Sequence, residues 1–382
     1  MSIPTKKLLF IFGTRPEAIK LAPVIKAFEQ DSMFKVVVAV TGQHREMLDQ
    51  VLNFFNINPD HDLNLMKANQ NLFDITANGL TMLEPMLTAE APDMVFVQGD
   101  TTTAFIGSLA AYYKKIKVAH IEAGLRSNDK YAPFPEEINR VLTGRLADLH
   151  FAPTKGAADN LQREGVVKAV HVAGNSVIDA LMLGLRIIES ENGDAVRAFL
   201  SGLDLQKRFV LITAHRRESF GFPFENICRA IKTVAQSHPD VSFVFPVHRN
   251  PNVREPVGHH LNNIPNVLLL DPLDYPRFIA LMQHCYFVLT DSGGLQEEAP
   301  SLGKPVLVMR DVTERQEGID AGTAKLVGTD YATIVDAIEL LLNNPNEYLK
   351  MAQAVNPYGD GKASKRILEI VKSFFNQHPY QS

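Results

Sequence analysis

Short apolar, β-branched runs recur along the chain, each separated from the next by a longer stretch with helical spacing. They read KLLFIF, KVVVAV, DMVFVQ, KVAHI, LHFAP and AVHVAG in the first half, then FVLITA, VSFVFPV, NVLLLD, YFVLTD and PVLVM from residue 209 onward. This alternation predicts parallel α/β architecture, because a buried parallel strand needs a crossover helix to return the chain. The runs are continuously apolar rather than alternating, which predicts sheets covered on both faces. Between the two series, AGNSVIDALMLGLRIIESENGDAVRAFLSGLDLQKR is largely helical and linker-like, and places a boundary near residue 173, giving domains 1–172 and 173–365. The tail NPYGDGKASKRILEIVKSFFN is a Gly/Pro break followed by an amphipathic helix, so residues 366–382 are expected to cross back onto the first domain.

A length of 382 residues with 46% apolar content suits two soluble domains. The net charge of -5, without a Lys/Arg block or a basic stripe interleaved with aromatics, argues against nucleic acid as a partner. Cys228 and Cys285 are too few for a disulfide framework or a Cys-rich metal site, and fit a reducing cytoplasm. The apolar run in MSIPTKKLLFIFGTRPE is shorter than a secretory core and reads as a first strand. No apolar stretch nears the roughly 20 residues of a membrane span, so no membrane segment is expected.

In open α/β sheets ligands bind beyond the carboxyl ends of the strands, so the residues after each run carry the chemistry. After the first comes GTRPEAIK, where Arg15 and Lys20 bring two cations to a helix start; an ordinary βα turn with solvated charges accounts for it equally well. No G-x-G-x-x-G follows any strand and no Walker A pattern occurs, so a dinucleotide cofactor has no support. Asp100, in GDTTTA, is either a functional carboxylate or a helix cap. Glu122 ends an apolar strand, where an unpaired charge is costly, and either pairs with Arg126 or Arg140 or faces a ligand. Glu136 opens a helix after two prolines, where it either serves the positive helix start or joins the other two carboxylates in one cleft.

The second series presents cations instead. His215 and His248 follow apolar runs, with Arg216, Arg217 and Arg249 adjacent; without a third ligand at a known spacing, anion binding fits better than zinc. In TDSGGLQEEAP, Ser292, Gly293 and Gly294 start a helix whose N–H groups suit an anion, and Glu298 lies one turn beyond Gly294 on the same face. That step of roughly 5–6 Å matches the distance from a pyrophosphate to its ribose, whose hydroxyls a carboxylate would accept from. The combination points to a nucleotide diphosphate.

With these residues in view, the chain closely resembles the bacterial non-hydrolysing UDP-N-acetylglucosamine 2-epimerases. FGTRPEAIKLAPV, QHREMLDQVL, GDTTT, HIEAGLR, PEEINR, AHRRES, TDSGGLQEEAPSLGKPVLV and NPYGDGKAS match that family's motifs in order over nearly the whole chain. Small departures are Phe134 where the family usually carries Trp or Tyr, Arg249 at a variable position, and Gln316 where Pro is common. The resemblance implies two Rossmann-like parallel-sheet domains of the GT-B type with the active site in the cleft between them. It implies elimination of UDP to a 2-acetamidoglucal and re-addition, with Asp100, Glu122, Glu136 and His215 as catalytic groups and no metal or NAD. UDP would be held by Arg15, Lys20, Phe278, Ser292, Gly293, Gly294, Glu298 and Arg315. The family also implies a homodimer and activation by UDP-N-acetylglucosamine at a neighbouring site, for which Gln43, Arg216 and His248 are candidates. Rival readings are a GT-B glycosyltransferase, which would need an acceptor, a hydrolysing 2-epimerase, which would release free sugar, and a silent nucleotide-sugar sensor.

Overall fold

Each series of apolar runs builds one fully parallel sheet. The computed structural model describes residues 5–42, 45–65, 70–190, 193–203 and 208–377. Two compact units are formed, Met1–Leu183 with Gly359–Ser382, and Gly184–Tyr358. The division falls inside the helix Ser176–Glu189 rather than before it, and ahead of the last helix, Ala363–Gln377, rather than within it.

In the first unit the strands are β1 (Lys6–Phe12), β2 (Phe34–Val40), β3 (His61–Asp62), β4 (Met94–Gln98), β5 (Lys117–Ile121), β6 (Leu149–Ala152) and β7 (Val170–Val172). Their spatial order is β3-β2-β1-β4-β5-β6-β7, and every pairing is parallel. The chain winds outward from β1 in one direction and then from β4 in the other, so the sheet has its topological switch point between β1 and β4. Under it Phe10 and Phe96 stack with ring centroids 4.6 Å apart, and Phe28, from the helix Arg15–Glu29, tilts against both.

The second unit repeats the plan with β8 (Phe209–Thr213), β9 (Ser242–Pro246), β10 (Val267–Leu270), β11 (Phe287–Thr290), β12 (Val306–Val308) and β13 (Ala324–Leu326). The order is β10-β9-β8-β11-β12-β13, again all parallel, with the switch point between β8 and β11. Phe224, Phe243, Phe245 and Phe287 are fully buried in its core. The expectation of two Rossmann-like parallel-sheet domains is met.

The returning C-terminal helix is fixed to the first unit at several points. The buried carboxylate of Asp179, on the helix Ser176–Glu189, accepts hydrogen bonds from the backbone N–H groups of Ala363 (3.1 Å) and Ser364 (2.8 Å) at the helix start. Farther along, Lys372 pairs with Asp31 at 2.9 Å and Phe375 packs near Phe34. Asp179→Ala leaves two buried N–H donors unmet, so it is expected to destabilise the unit by about 1–3 kcal/mol and to lower the thermal midpoint by several degrees. An unchanged midpoint in differential scanning calorimetry would remove that role.

Candidate active site

At the first switch point, three turns place charged groups at the carboxyl ends of neighbouring strands. After β1 the chain turns at Gly13 into the helix Arg15–Glu29. A β-carbon on Gly13 would lie 2.0 Å from Thr41 Oγ1 and 2.8 Å from Thr103 Oγ1, so only glycine fits there. Thr14 caps this helix and Glu17 closes the capping box. The buried Glu17 carboxylate accepts from the N–H groups of Gly13 (3.1 Å) and Thr14 (2.8 Å) and from the Thr101 hydroxyl (2.7 Å). Burial raises its pKa, against the pull of those hydrogen bonds. Glu17 therefore fastens the first turn to the turn after β4.

Asp100 stands in that second turn. Its backbone carbonyl accepts from Asn139 Nδ2 at 3.0 Å, and its carboxylate is ion-paired with Arg140. Burial raises its pKa; Arg140 and Lys20 oppose the rise, while the charge of Glu122 adds to it. Asp100 thus keeps its proton to higher pH than an ordinary aspartate, and senses Glu122 electrostatically. Just before it, the carbonyl of Gly99 is 2.7 Å from Nε2 of the fully buried His120 on β5.

Glu122 follows β5 in the left-handed region, at φ 63°, an uncommon conformation for a residue with a β-carbon. Its carboxylate is ion-paired with Lys20 and accepts from Gln98 Nε2 at 3.1 Å. The sequence left Arg126 and Arg140 as its partners; both are engaged elsewhere. Arg126 forks onto Glu164 (2.6 and 2.8 Å), and Arg140 holds Asp100 with Glu137 3.3 Å away. Glu136 is half-buried at the start of the helix Glu136–Leu146. Its neighbour Glu137 is buried and structural, accepting from the N–H groups of Ser127 and Asn128 at 3.0 Å each. Arg15 is half-buried on the first turn of its helix.

At the second switch point the residues after β8 and β11 meet. Asp291 is fully buried, and its Oδ2 accepts from the N–H groups of His215 (2.6 Å) and Arg216 (2.7 Å). The rings of His215 and His248 stack with centroids 5.6 Å apart at 20°. The pKa of His248 is lowered by burial and by His215 beside it. Ser292, Gly293 and Gly294 open the short helix Gly293–Glu298 as expected, and Glu298 Oε2 lies 3.6 Å from where a Gly294 β-carbon would be. The two features sit on one face.

Arg315 packs its guanidinium against Gly293, where a β-carbon would come within 3.0 Å of it. Buried Glu297 accepts from Arg315 Nε at 3.0 Å, and Glu314 pairs with Nη1. Glu314 also meets Arg310 at 2.9 Å and Arg216 at 3.7 Å. Burial alone would raise its pKa, yet Arg315, its own backbone N–H, Arg310 and Arg216 together hold it at about 2. Phe278 is partly buried on the helix Tyr275–His284, and Gln43 lies outside the described residues. Among the described residues no cluster of three or more His, Cys, Asp or Glu could hold a metal ion. None of their helices is long and apolar enough to cross a membrane.

Sequence reasoning missed the residues that hold the candidates in place. Glu17, Gln98 and Asn139 do so in the first unit, and Asp291, Glu297 and Glu314 in the second. Two of them carried a visible signal: Gln98 is a polar residue closing an apolar strand, and Asp291 is the acid just ahead of the Ser-Gly-Gly turn.

The UDP-N-acetylglucosamine 2-epimerase family model matches residues 26–372. The UDP-N-acetylglucosamine 2-epimerase of Escherichia coli K12 is 53% identical over 96% of this chain and 98% of its own length. Among solved structures, the UDP-GlcNAc 2-epimerase of Neisseria meningitidis bound to UDP-GlcNAc is 48% identical, with a TM-score of 0.89 over 96% of this chain and all of the other. A UDP co-structure of MnaA from S. aureus is likewise 48% identical, with a TM-score of 0.85 over 97% of each chain. Agreement of this extent, in sequence and fold together, means that the chain belongs to the UDP-N-acetylglucosamine 2-epimerase family of isomerases.

Proposed function

We propose that the protein interconverts UDP-N-acetylglucosamine and UDP-N-acetylmannosamine by removing UDP and adding it back. The C2–H of an N-acetylhexosamine is not acidic enough for simple deprotonation, so loss of the C2 proton is coupled to cleavage of the C1–O bond. The electron pair of that bond leaves with UDP, and the C2–H pair becomes the double bond of a 2-acetamidoglucal. Protonation of C2 on the other face and return of UDP to C1 give the epimer. This needs acid/base groups on both faces of the sugar and a clamp for the departing diphosphate.

The observation that carries the reading is the pair Asp100 and Glu122. They stand at the ends of adjacent strands, each with its own cation, Arg140 and Lys20, and close enough for the charge of one to raise the pKa of the other. With Glu136 they supply proton transfer at C2 and support the cationic C1. His215, Arg15, Lys20, Ser292, Gly293, Gly294 and Arg315 hold the diphosphate, Glu298 the ribose and Phe278 the uracil. Arg216, His248 and Gln43 serve a second UDP-N-acetylglucosamine acting as activator. The product is a precursor for surface polysaccharide, made in the cytoplasm, in keeping with two buried free thiols.

The protein acts as a homodimer. In support, Phe73 is 86% exposed on the helix Leu72–Glu90, and Tyr112 and Tyr113 are exposed at the end of the helix packed beside it, Thr102–Tyr113. Phe73→Asp is expected to shift the mass in light scattering from dimer towards monomer; a monomeric wild type would contradict the assignment.

Incubation with UDP-N-acetylglucosamine alone, with the products separated by anion exchange, tests the activity. UDP-N-acetylmannosamine is the expected product. Free N-acetylmannosamine with UDP would mean hydrolysis, and no reaction without an acceptor would mean a transferase.

A further inference from the structure

The least expected group in the second unit is Asp291. It directly follows β11, pairs its own N–H with the carbonyl of Thr213 at the end of β8 (3.2 Å), and has no exposed surface. One carboxylate oxygen, Oδ2, is fully used by the N–H groups of His215 and Arg216. The other, Oδ1, is buried and has no hydrogen-bond partner among the described residues; the polar atom facing it is His215 Nδ1, 3.3 Å away. A carboxylate oxygen withdrawn from water is costly unless a donor meets it. Nδ1 makes a charge contact with Oδ1 rather than an aligned hydrogen bond, and hydrogen on Nδ1 is favoured there because its lone pair would otherwise face the carboxylate.

We propose that Asp291 is a positioning residue that keeps the hydrogen of His215 on Nδ1, leaving Nε2 to exchange a proton with the diphosphate of the nucleotide sugar. Three constraints act on the imidazole together. Two backbone bonds fix where the His215 main chain leaves β8, the Oδ1 contact fixes one ring edge, and the stacked His248 ring fixes the plane. The opposite edge, carrying Nε2, belongs to a side chain that is 44% exposed and so open to a ligand. Facing the ring are Asp291, from the turn after β11, and His248, from the turn after β9, with Arg216 next in the chain.

The inference rests on the proposed elimination. As the C1–O bond breaks, its electron pair passes to the diphosphate oxygen, the Nε2 proton of the imidazolium moves to that oxygen, and the ring is left neutral with Nδ1–H towards Asp291. When UDP returns to C1 the same proton goes back to Nε2, so the ring is regenerated without any further reagent. Asp291 stabilises the imidazolium electrostatically and fixes the neutral tautomer, in the way a buried carboxylate orients a catalytic histidine.

The tautomer is measurable without substrate. In long-range proton–nitrogen spectra of histidine-labelled protein at pH 8, with His215 assigned by means of His215→Gln, the neutral His215 ring is expected as Nδ1–H. In Asp291→Asn it is expected to shift towards Nε2–H. The same variant is expected to lower kcat by about 10²-fold with KM little changed. Adding Asp291→Asn to His215→Gln should cost nothing further. An Nε2–H ring in the wild type, or a double variant slowed by the full Asp291→Asn factor, would overturn the proposal and leave Asp291 a backbone anchor. If Asp291→Asn does not fold, the wild-type tautomer decides alone. An inactive wild type with an Nδ1–H ring would defeat the epimerase reading but not the positioning.

Discussion

Asp100→Asn is expected to lower the turnover of UDP-N-acetylglucosamine by about 10²–10⁴-fold, the range that a positioned acid/base group contributes. The substitution keeps the shape of the side chain and removes its ability to take or give a proton. The Asp100 backbone stays fixed, because its carbonyl is held by Asn139 and the preceding carbonyl by His120. Arg140 retains a carboxylate neighbour in Glu137, 3.3 Å away. The groups assigned to UDP lie mostly in the second unit, so its affinity in calorimetric titration should change little. Turnover within about tenfold of wild type would exclude Asp100 from proton transfer.

The second large effect is on stability, and it comes from His120 in the same turn. The ring is wholly buried, and burial, against the pull of its bond to the Gly99 carbonyl, lowers its pKa from 6.5 to about 3. Between those values the unfolded chain binds a proton that the folded chain refuses. The stability from keeping His120 neutral is therefore complete above pH 6.5 and is lost as the pH falls towards about 3. From pH 7 to pH 5 this one group is expected to remove about 2 kcal/mol of unfolding free energy. His150 and His171, lowered chiefly by burial, act in the same direction. His120→Gln retains a donor for the Gly99 carbonyl but does not titrate, so its denaturation midpoints at pH 7 and pH 5 should lie closer together than those of the wild type. Equal spacing in the two proteins would contradict the assignment.

The eleven apolar runs read from the sequence all became strands, because a strand covered on both faces must be apolar throughout its length. The two that escaped notice, β3 (His61–Asp62) and β13 (Ala324–Leu326), are two- and three-residue edge strands whose pairing is set by their neighbours. Candidate acids and bases were legible for a related reason: a charge at the end of an apolar run is costly unless it has work to do or a partner. Partners were less legible. Lys20 and Glu122 are 102 residues apart, and Asp291 meets His215 only because β8 and β11 lie side by side. Glu136 and Glu137 look alike in the sequence, and only the path of residues 127–128 determines which is buried.

Loss and return of the C2 proton within a UDP-sugar leave a direct isotopic trace. The purified protein is incubated with UDP-N-acetylglucosamine in deuterated water without acceptor, and C2 is followed by proton NMR. UDP-N-acetylmannosamine carrying deuterium at C2 is the expected result. A bound but unchanged nucleotide sugar, with its C2 proton intact, would contradict it.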